Sequence, residues 1–122
     1  MTDRPFNIYY IDDEPDIVQL AEDIFRPQKE FIFKGYTKHT ELLADLSGHL
    51  LDAFCVFSDF KMPTIDGFSL AKEIRSFNLE IPIILVSGIL NKELALQGVE
   101  SKIDGFISKP FSSTHFMETL NK

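Results

Sequence analysis

Residues 6–14 read Phe6-Asn7-Ile8-Tyr9-Tyr10-Ile11-Asp12-Asp13-Glu14, a largely apolar, β-favouring run that stops on three acids. A run of this length and composition suits a strand buried on both faces. The chain then turns to a helical period, with Ile17, Leu20, Ala21, Ile24 and Phe25 on one face. The same succession recurs downstream. Further strand-like runs span Phe31 to Tyr36, Ala53 to Ser58, Pro82 to Ser87 and Ile103 to Ser108. The second carries Lys34 and suits a sheet edge; the fifth, with Asp104 and Gly105 inside it, suits the other edge.

Leu42, Leu43, Leu46 and Leu50 follow the second run at helical spacing, and Phe68, Leu70, Ala71, Ile74 and Phe77 follow the third. Between Asn91 and Glu100 the pattern is weaker, with Leu94, Ala95 and Val99 as its apolar positions and Gly98 interrupting it. A last helix is expected from Ser112, as N-cap, to Asn121, burying Phe116, Met117 and Leu120. Strand and helix alternating five times predict right-handed βαβ crossovers and a parallel sheet covered on both faces. The expected fold is α/β, a doubly wound (βα)5 sandwich with a five-stranded parallel sheet in the flavodoxin-like order 2-1-3-4-5. In such sheets the ligand site lies at the carboxyl ends of the strands, beside the switch point.

At 122 residues the chain is the size of one domain, expected to span 1–122 with no output module after it. Twelve basic against nineteen acidic residues give a net charge of −7, which argues against direct binding of nucleic acid or an anionic membrane. One cysteine, Cys55, allows neither a disulfide framework nor a cysteine-built zinc site; it is expected to be buried and inert. His39, His49 and His115 form no ligand spacing and read as surface residues. Met1-Thr2-Asp3-Arg4-Pro5 shows no export signal, and the longest apolar run, Ile81 to Val86, is too short to span a membrane. A soluble, cytoplasmic protein is expected.

The strand ends hold the chemistry. The first run ends in Asp12-Asp13-Glu14, the third in Asp59, the fourth in Ser87 and the fifth in Lys109-Pro110. Like charges about 4 Å apart repel by roughly 4 kcal/mol at an effective dielectric near 20, so acids converging from adjacent strands call for a cation among them. Oxygen ligands without His or Cys favour a hard ion, and few carboxylates with room for water and phosphate oxygens favour Mg²⁺. Taken singly, each residue has a plainer use. Asp13 or Glu14 ahead of Pro15 suits a helix cap, Ser87 could cap the next helix, and Lys109 could be a solvated lysine. Together they place a carboxylate beside a cation and an amine, the equipment for phosphoryl transfer onto Asp.

Asp12-Asp13, Asp59 with Lys61-Met62-Pro63 and Asp66-Gly67 after it, Ser87-Gly88 and Lys109-Pro110-Phe111 closely resemble the receiver domain of two-component response regulators, the CheY-like domains. The resemblance runs from Phe6 to about Leu120. It implies that Asp59 is the phosphoacceptor and that Asp13, Asp59, the backbone carbonyl of Lys61 and, partly through water, Asp12 hold Mg²⁺. It further implies that Lys109 pairs with the phosphate through a cis Lys109-Pro110 segment, that Ser87 is the switch hydroxyl and that Phe106 is the switch aromatic. A histidine kinase or histidine phosphotransfer protein would be the donor, and a downstream protein or an absent output domain the recipient, reached through the face of the fourth helix, fifth strand and fifth helix. The domain would catalyse only its own modification.

Two positions depart from the usual pattern. Lys61 stands where residues tune the lifetime of the acyl phosphate. The fifth helical stretch has no Arg, which argues against dimerisation through that face. Three rivals remain. An aspartyl-phosphate phosphatase would carry Asp-x-Asp where this chain has Asp12-Asp13-Glu14. A flavin-binding module would not place three acids at its phosphate loop. A receiver-like interaction domain would work without phosphorylation.

Overall fold

Side chains of a strand alternate between the two faces of its sheet, so a strand apolar at every position needs cover on both sides. The computed structural model, which describes residues 6–77, 80–112, 114 and 118–119, provides it. Strands β1 (Phe6–Ile11), β2 (Phe31–Tyr36), β3 (Ala53–Asp59), β4 (Ile83–Ser87) and β5 (Gly105–Ser108) alternate with helices α1 (Pro15–Phe25), α2 (His39–Gly48), α3 (Gly67–Phe77) and α4 (Lys92–Glu100). All strand pairs are parallel and the order is β2-β1-β3-β4-β5, the doubly wound arrangement expected. Ile8, Tyr10, Cys55, Phe57, Ile84, Val86 and Ile107 face one layer with Ala21 and Phe25 of α1. Tyr9, Ile11, Val56 and Ile83 face the other, with Leu42 and Leu46 of α2 and Leu70, Ala71 and Ile74 of α3.

Several expected core positions are placed differently. Leu20 is largely exposed, because the stripe of α1 that meets the sheet is centred on Ile17, Val18, Ala21, Ile24 and Phe25 and leaves Leu20 at its margin. Leu50 lies beyond α2, in a single 3-10 turn. On α4, Leu94 and Gly98 turn inward while Ala95 and Val99 face solvent, Val99 at 75% exposure. The ring of Phe106 occupies the space beside Gly98, and the helix presents that side to β5. Most of the expected fifth helix, including Phe116, Met117 and Leu120, lies outside the described residues, as does His115. Cys55 is buried, and burial pushes its thiol well above the ordinary range, as an inert core cysteine requires.

A charged residue also sits in this interior. Arg75 of α3 is 8% exposed. Its guanidinium donates to the carbonyls of Ile81 and Lys102 and, at 2.9 Å, to Asp104 Oδ2. Asp104 in turn accepts from the Ile83 amide at 2.8 Å. One side chain thus ties the end of α3 to the start of β4 and to the α4–β5 turn. In that turn Lys102 has φ of 61°, a left-handed conformation that disfavours residues with a Cβ. Lys102→Gly is expected to raise stability by roughly 0.5–1 kcal/mol, the relieved backbone strain outweighing the added freedom of glycine in the unfolded chain. A urea titration checks it, and a lower midpoint in the variant contradicts it.

At the β2 edge, Asp45 of α2 accepts from the Tyr36 hydroxyl and pairs with Lys34 at 3.4 Å and His49 Nδ1 at 2.9 Å. His49 is thus exposed, as expected, but not unattached. Burial alone would raise the Asp45 carboxyl, but the Tyr36 hydrogen bond and the Lys34 and His49 charges more than offset it and hold it below the ordinary value. A depressed carboxylate contributes stability above its unfolded pKa of about 3.9 and loses it as pH falls through the folded value. Asp45→Asn is therefore expected to cost about 1 kcal/mol at neutral pH, discounted for solvent screening, and little in strong acid. Urea midpoints at both pH values test this; an equal loss at each would remove the electrostatic cause.

Candidate functional site

The parallel register brings the acids together. Ile11 of β1 pairs with Ser58 of β3, so one step further along both strands Asp12 meets Asp59. Ser87 of β4 pairs with Ser108 of β5, and the Lys109 amide donates to the Ser87 carbonyl at 2.8 Å, which sets Lys109 at the same sheet edge. Carboxylate oxygens of Asp12, Asp13 and Asp59 lie within 4.8 Å of one another. Lys109 Nζ is 2.9 Å from Asp12 Oδ2 and 2.8 Å from Asp59 Oδ1. Asp12 is fully buried and Asp59 is 6% exposed.

Neither Asp13 nor Glu14 makes a side-chain cap. Glu14 occupies the N-cap of α1 without a capping bond, and Asp12 Oδ1 accepts from the Glu14 amide at 3.0 Å. Asp12 is thus oriented from two sides, by that amide and by Lys109. Asn91, not Ser87, caps α4, through a 2.8 Å bond from the Leu94 amide to its Oδ1. Asp66 starts α3, accepting from the Ser69 amide at 2.8 Å, and Gly67 passes close over the Asp59 carbonyl and the Leu85 side chain, where a Cβ would collide. The Lys109–Pro110 bond is cis.

Burial, then the charges of Asp12 and Asp13, push the Asp59 carboxyl above its ordinary value against the opposing pull of Lys109. Burial alone would lower the Lys109 amine, but hydrogen bonds to Asp59 and Asp12 more than offset it and raise the amine. Lys109 is therefore a fixed cation. Three carboxylates against one ammonium leave the cluster short of positive charge, and its all-oxygen donor set fits a hard divalent ion. An aromatic floor lies nearby, with the Tyr10 ring centroid 6.3 Å from those of both Phe57 and Phe111.

A cleft of about 620 Å³ opens over this edge, lined in part by Glu14, Asp59, Lys61, Ser87 and Lys109. The Ser87 hydroxyl is turned to the following loop, donating to the Ile89 carbonyl at 2.8 Å and accepting from the Ile89 amide at 3.1 Å. Phe106 is not among the cleft residues; its ring lies against α4. The N-cap preference of asparagine could have found Asn91 at the head of the weak helical stretch; the orientation of Ser87 and the second bond of Asp12 had no sequence signal. Each depends on loop geometry rather than on periodicity.

Comparison with known proteins agrees with the doubly wound sheet that carries this acid edge. The response regulator receiver domain family matches residues 8–121, and the chain belongs to that family. The C4-dicarboxylate transport transcriptional regulatory protein DctD of Rhizobium meliloti is 28% identical over 116 residues, 95% of this chain and 25% of that protein. The transcriptional regulatory protein SpaR of Bacillus subtilis is 29% identical over 118 residues, 93% of this chain and 50% of that protein. The chain therefore spans a quarter to a half of the length of these relatives. The chemotaxis protein CheY4 of Vibrio cholerae superposes with a TM-score of 0.88 at 22% identity, covering 96% of this chain and 97% of that one. The BeF3-activated receiver domain of DrrB gives 0.81 at 22% identity, with 96% and 95% covered; at such identity both show the fold. The chain is a receiver domain of the kind two-component response regulators carry, and the relatives named here do not favour the three rival readings.

Proposed function

We propose that Asp59 accepts a phosphoryl group from the phosphohistidine of a histidine kinase or histidine phosphotransfer protein. The observation that carries the reading is the cluster of three carboxylates, the one such cluster among the described residues, with Lys109 bridging two of its members. A carboxylate oxygen of Asp59 forms the new O–P bond, the N–P bond of the donor breaks, and its electron pair returns to the imidazole. Asp12, Asp13, Asp59 and the Lys61 carbonyl would hold Mg²⁺, which when bound neutralises charge on the phosphoryl oxygens. Lys109 supplies a second positive charge from the end of β5 and, when the group arrives, exchanges its bond to Asp59 for one to phosphate.

Ser87 is the switch hydroxyl in this reading, leaving Ile89 to donate to a phosphoryl oxygen, and Phe106 is the aromatic that follows it. The face of α4, β5 and the segment after Phe111 then changes for a downstream protein or an output domain. Exposed Ile89, Leu90, Leu96 and Val99, on or just before α4, support a docking role for that face. The domain acts only on itself and works in the cytoplasm, without contacting nucleic acid. Among the described residues no helix is long and apolar enough to cross a membrane.

Intact mass after incubation with acetyl phosphate and Mg²⁺ tests the proposal. One adduct of ~80 Da is expected, absent when chelator is in excess. An adduct that persists in chelator removes the metal from the scheme; no adduct at any Mg²⁺ concentration replaces phosphoacceptance with a binding role.

A further inference from the structure

Glycine is a poor choice inside a helix, where it weakens the element relative to alanine. Gly98 lies within α4, is buried, and has a neighbour that accounts for it. A Cβ built there would stand 2.6 Å from Cζ and 3.1 Å from Cε2 of Phe106, and 3.6 Å from Cβ of Ile103. The closest contact is thus the far edge of an aromatic ring laid on bare helix backbone. That ring is half-buried and belongs to the residue whose β4 partner, Leu85, lies two positions before Ser87.

We infer that Gly98 is a positioning residue for the switch: it forms a seat on α4 that holds the Phe106 ring in the place seen here and sets how readily the ring departs. The inference rests on the reading of Phe106 as the switch aromatic. It adds that α4 takes part in the equilibrium through one missing methyl group. While the ring is seated, its contact offsets the weakness of glycine in the helix. When the ring moves toward the space that Ser87 leaves, the last turn of α4 loses that contact and keeps the glycine. Phosphorylation is thereby coupled to the order of α4 as well as to the position of one ring.

A methyl group at position 98 removes the seat. Gly98→Ala should displace the ring without any phosphoryl group and raise the apparent affinity for the phosphoryl analogue beryllofluoride with Mg²⁺, by on the order of tenfold if a minor state near a tenth of the population becomes the main one. The protein is labelled with fluorophenylalanine, and the Phe106 resonance is assigned by its loss in Phe106→Leu. In the parent, that resonance should shift on adding beryllofluoride. In Gly98→Ala it should start near the shifted position, and the beryllofluoride titration should saturate at lower concentration. Should the parent resonance stay fixed while beryllofluoride binds, Phe106 is not the switch aromatic and the inference falls with that reading. Should it shift in the parent while Gly98→Ala leaves both resonance and affinity unchanged, the switch reading stands and the seat is refuted. Stability gives an independent check that also covers poor folding of the single variant. Gly98→Ala should lower the urea midpoint in the parent and raise it in the Phe106→Leu background, where the shorter side chain frees the space. A rise in both backgrounds overturns the inference.

Discussion

Asp59→Asn is expected to take up no phosphoryl group from acetyl phosphate while unfolding at a higher urea concentration than the parent. Asparagine keeps the shape of the side chain, but its amide oxygen is too weak a nucleophile to attack phosphorus. The gain in stability follows from what Asp59 costs the fold. Burial and the neighbouring Asp12 and Asp13 raise its carboxyl above the ordinary value, so the folded protein binds a proton there more tightly than the unfolded chain does. For a raised acid, stability falls as pH rises from the unfolded pKa through the folded one, and at neutral pH the ionised group is a net burden. The neutral amide removes it, and Lys109 keeps Asp12 at 2.9 Å. The gain should fade in acid, where Asp59 is protonated in the parent too. Labelling of the variant at the parent's level would place the acceptor elsewhere. A lower midpoint at neutral pH would mean that the Lys109 pair outweighs the repulsion.

Arg75→Ala is expected to destabilise the fold by roughly 2–4 kcal/mol, the largest single loss anticipated outside the apolar core. The cost does not come from the ion pair alone, because Asp104 is half exposed and a solvated partner is worth little. It comes from the Ile81 and Lys102 carbonyls, which lose a charged donor in a place from which water is largely excluded. Arg75→Lys should recover only part of the loss, since one ammonium cannot reproduce the planar fork that serves three acceptors. Urea unfolding of the three proteins decides it. A change within about 0.5 kcal/mol for Arg75→Ala, the usual range at a surface site, would show that water replaces the guanidinium without penalty. The tie lies at the end of the sheet opposite the acids, so phosphoryl uptake by the folded variant should be unchanged.

Arg75 also marks the limit of what periodicity can show. It stands next to Ile74 in a stretch where Leu70, Ala71 and Ile74 are buried as the spacing predicts and Phe77 is exposed, and nothing in a helical pattern separates a lysine-like surface arginine from one whose guanidinium reaches two distant turns. The acids were easier. Asp12 and Asp59 follow apolar runs that can only be buried strands, so their place at the sheet edge was settled once those runs were recognised. Ser87 was legible for the same reason, and Lys109 from its place at the end of the fifth strand-like run. The helix facing β5 was not, because Val99 and Ala95 are as apolar as core residues, and it is the burial of Leu94 and the Phe106 ring against Gly98 that show which side of α4 turns inward.

From the sequence alone followed the strand and helix alternation, the doubly wound class and the four strand ends that carry acids, hydroxyl and amine, since each depends on local apolar periodicity and on one rule about where parallel sheets place their sites. Tertiary structure alone decided the bridging of Asp12 and Asp59 by Lys109, the turning of Ser87 toward Ile89, the fastening by Arg75 and the seat at Gly98. These are contacts between residues far apart in the chain or settled by loop geometry. They depend on interatomic distances that only the folded chain sets, which no spacing along a sequence encodes.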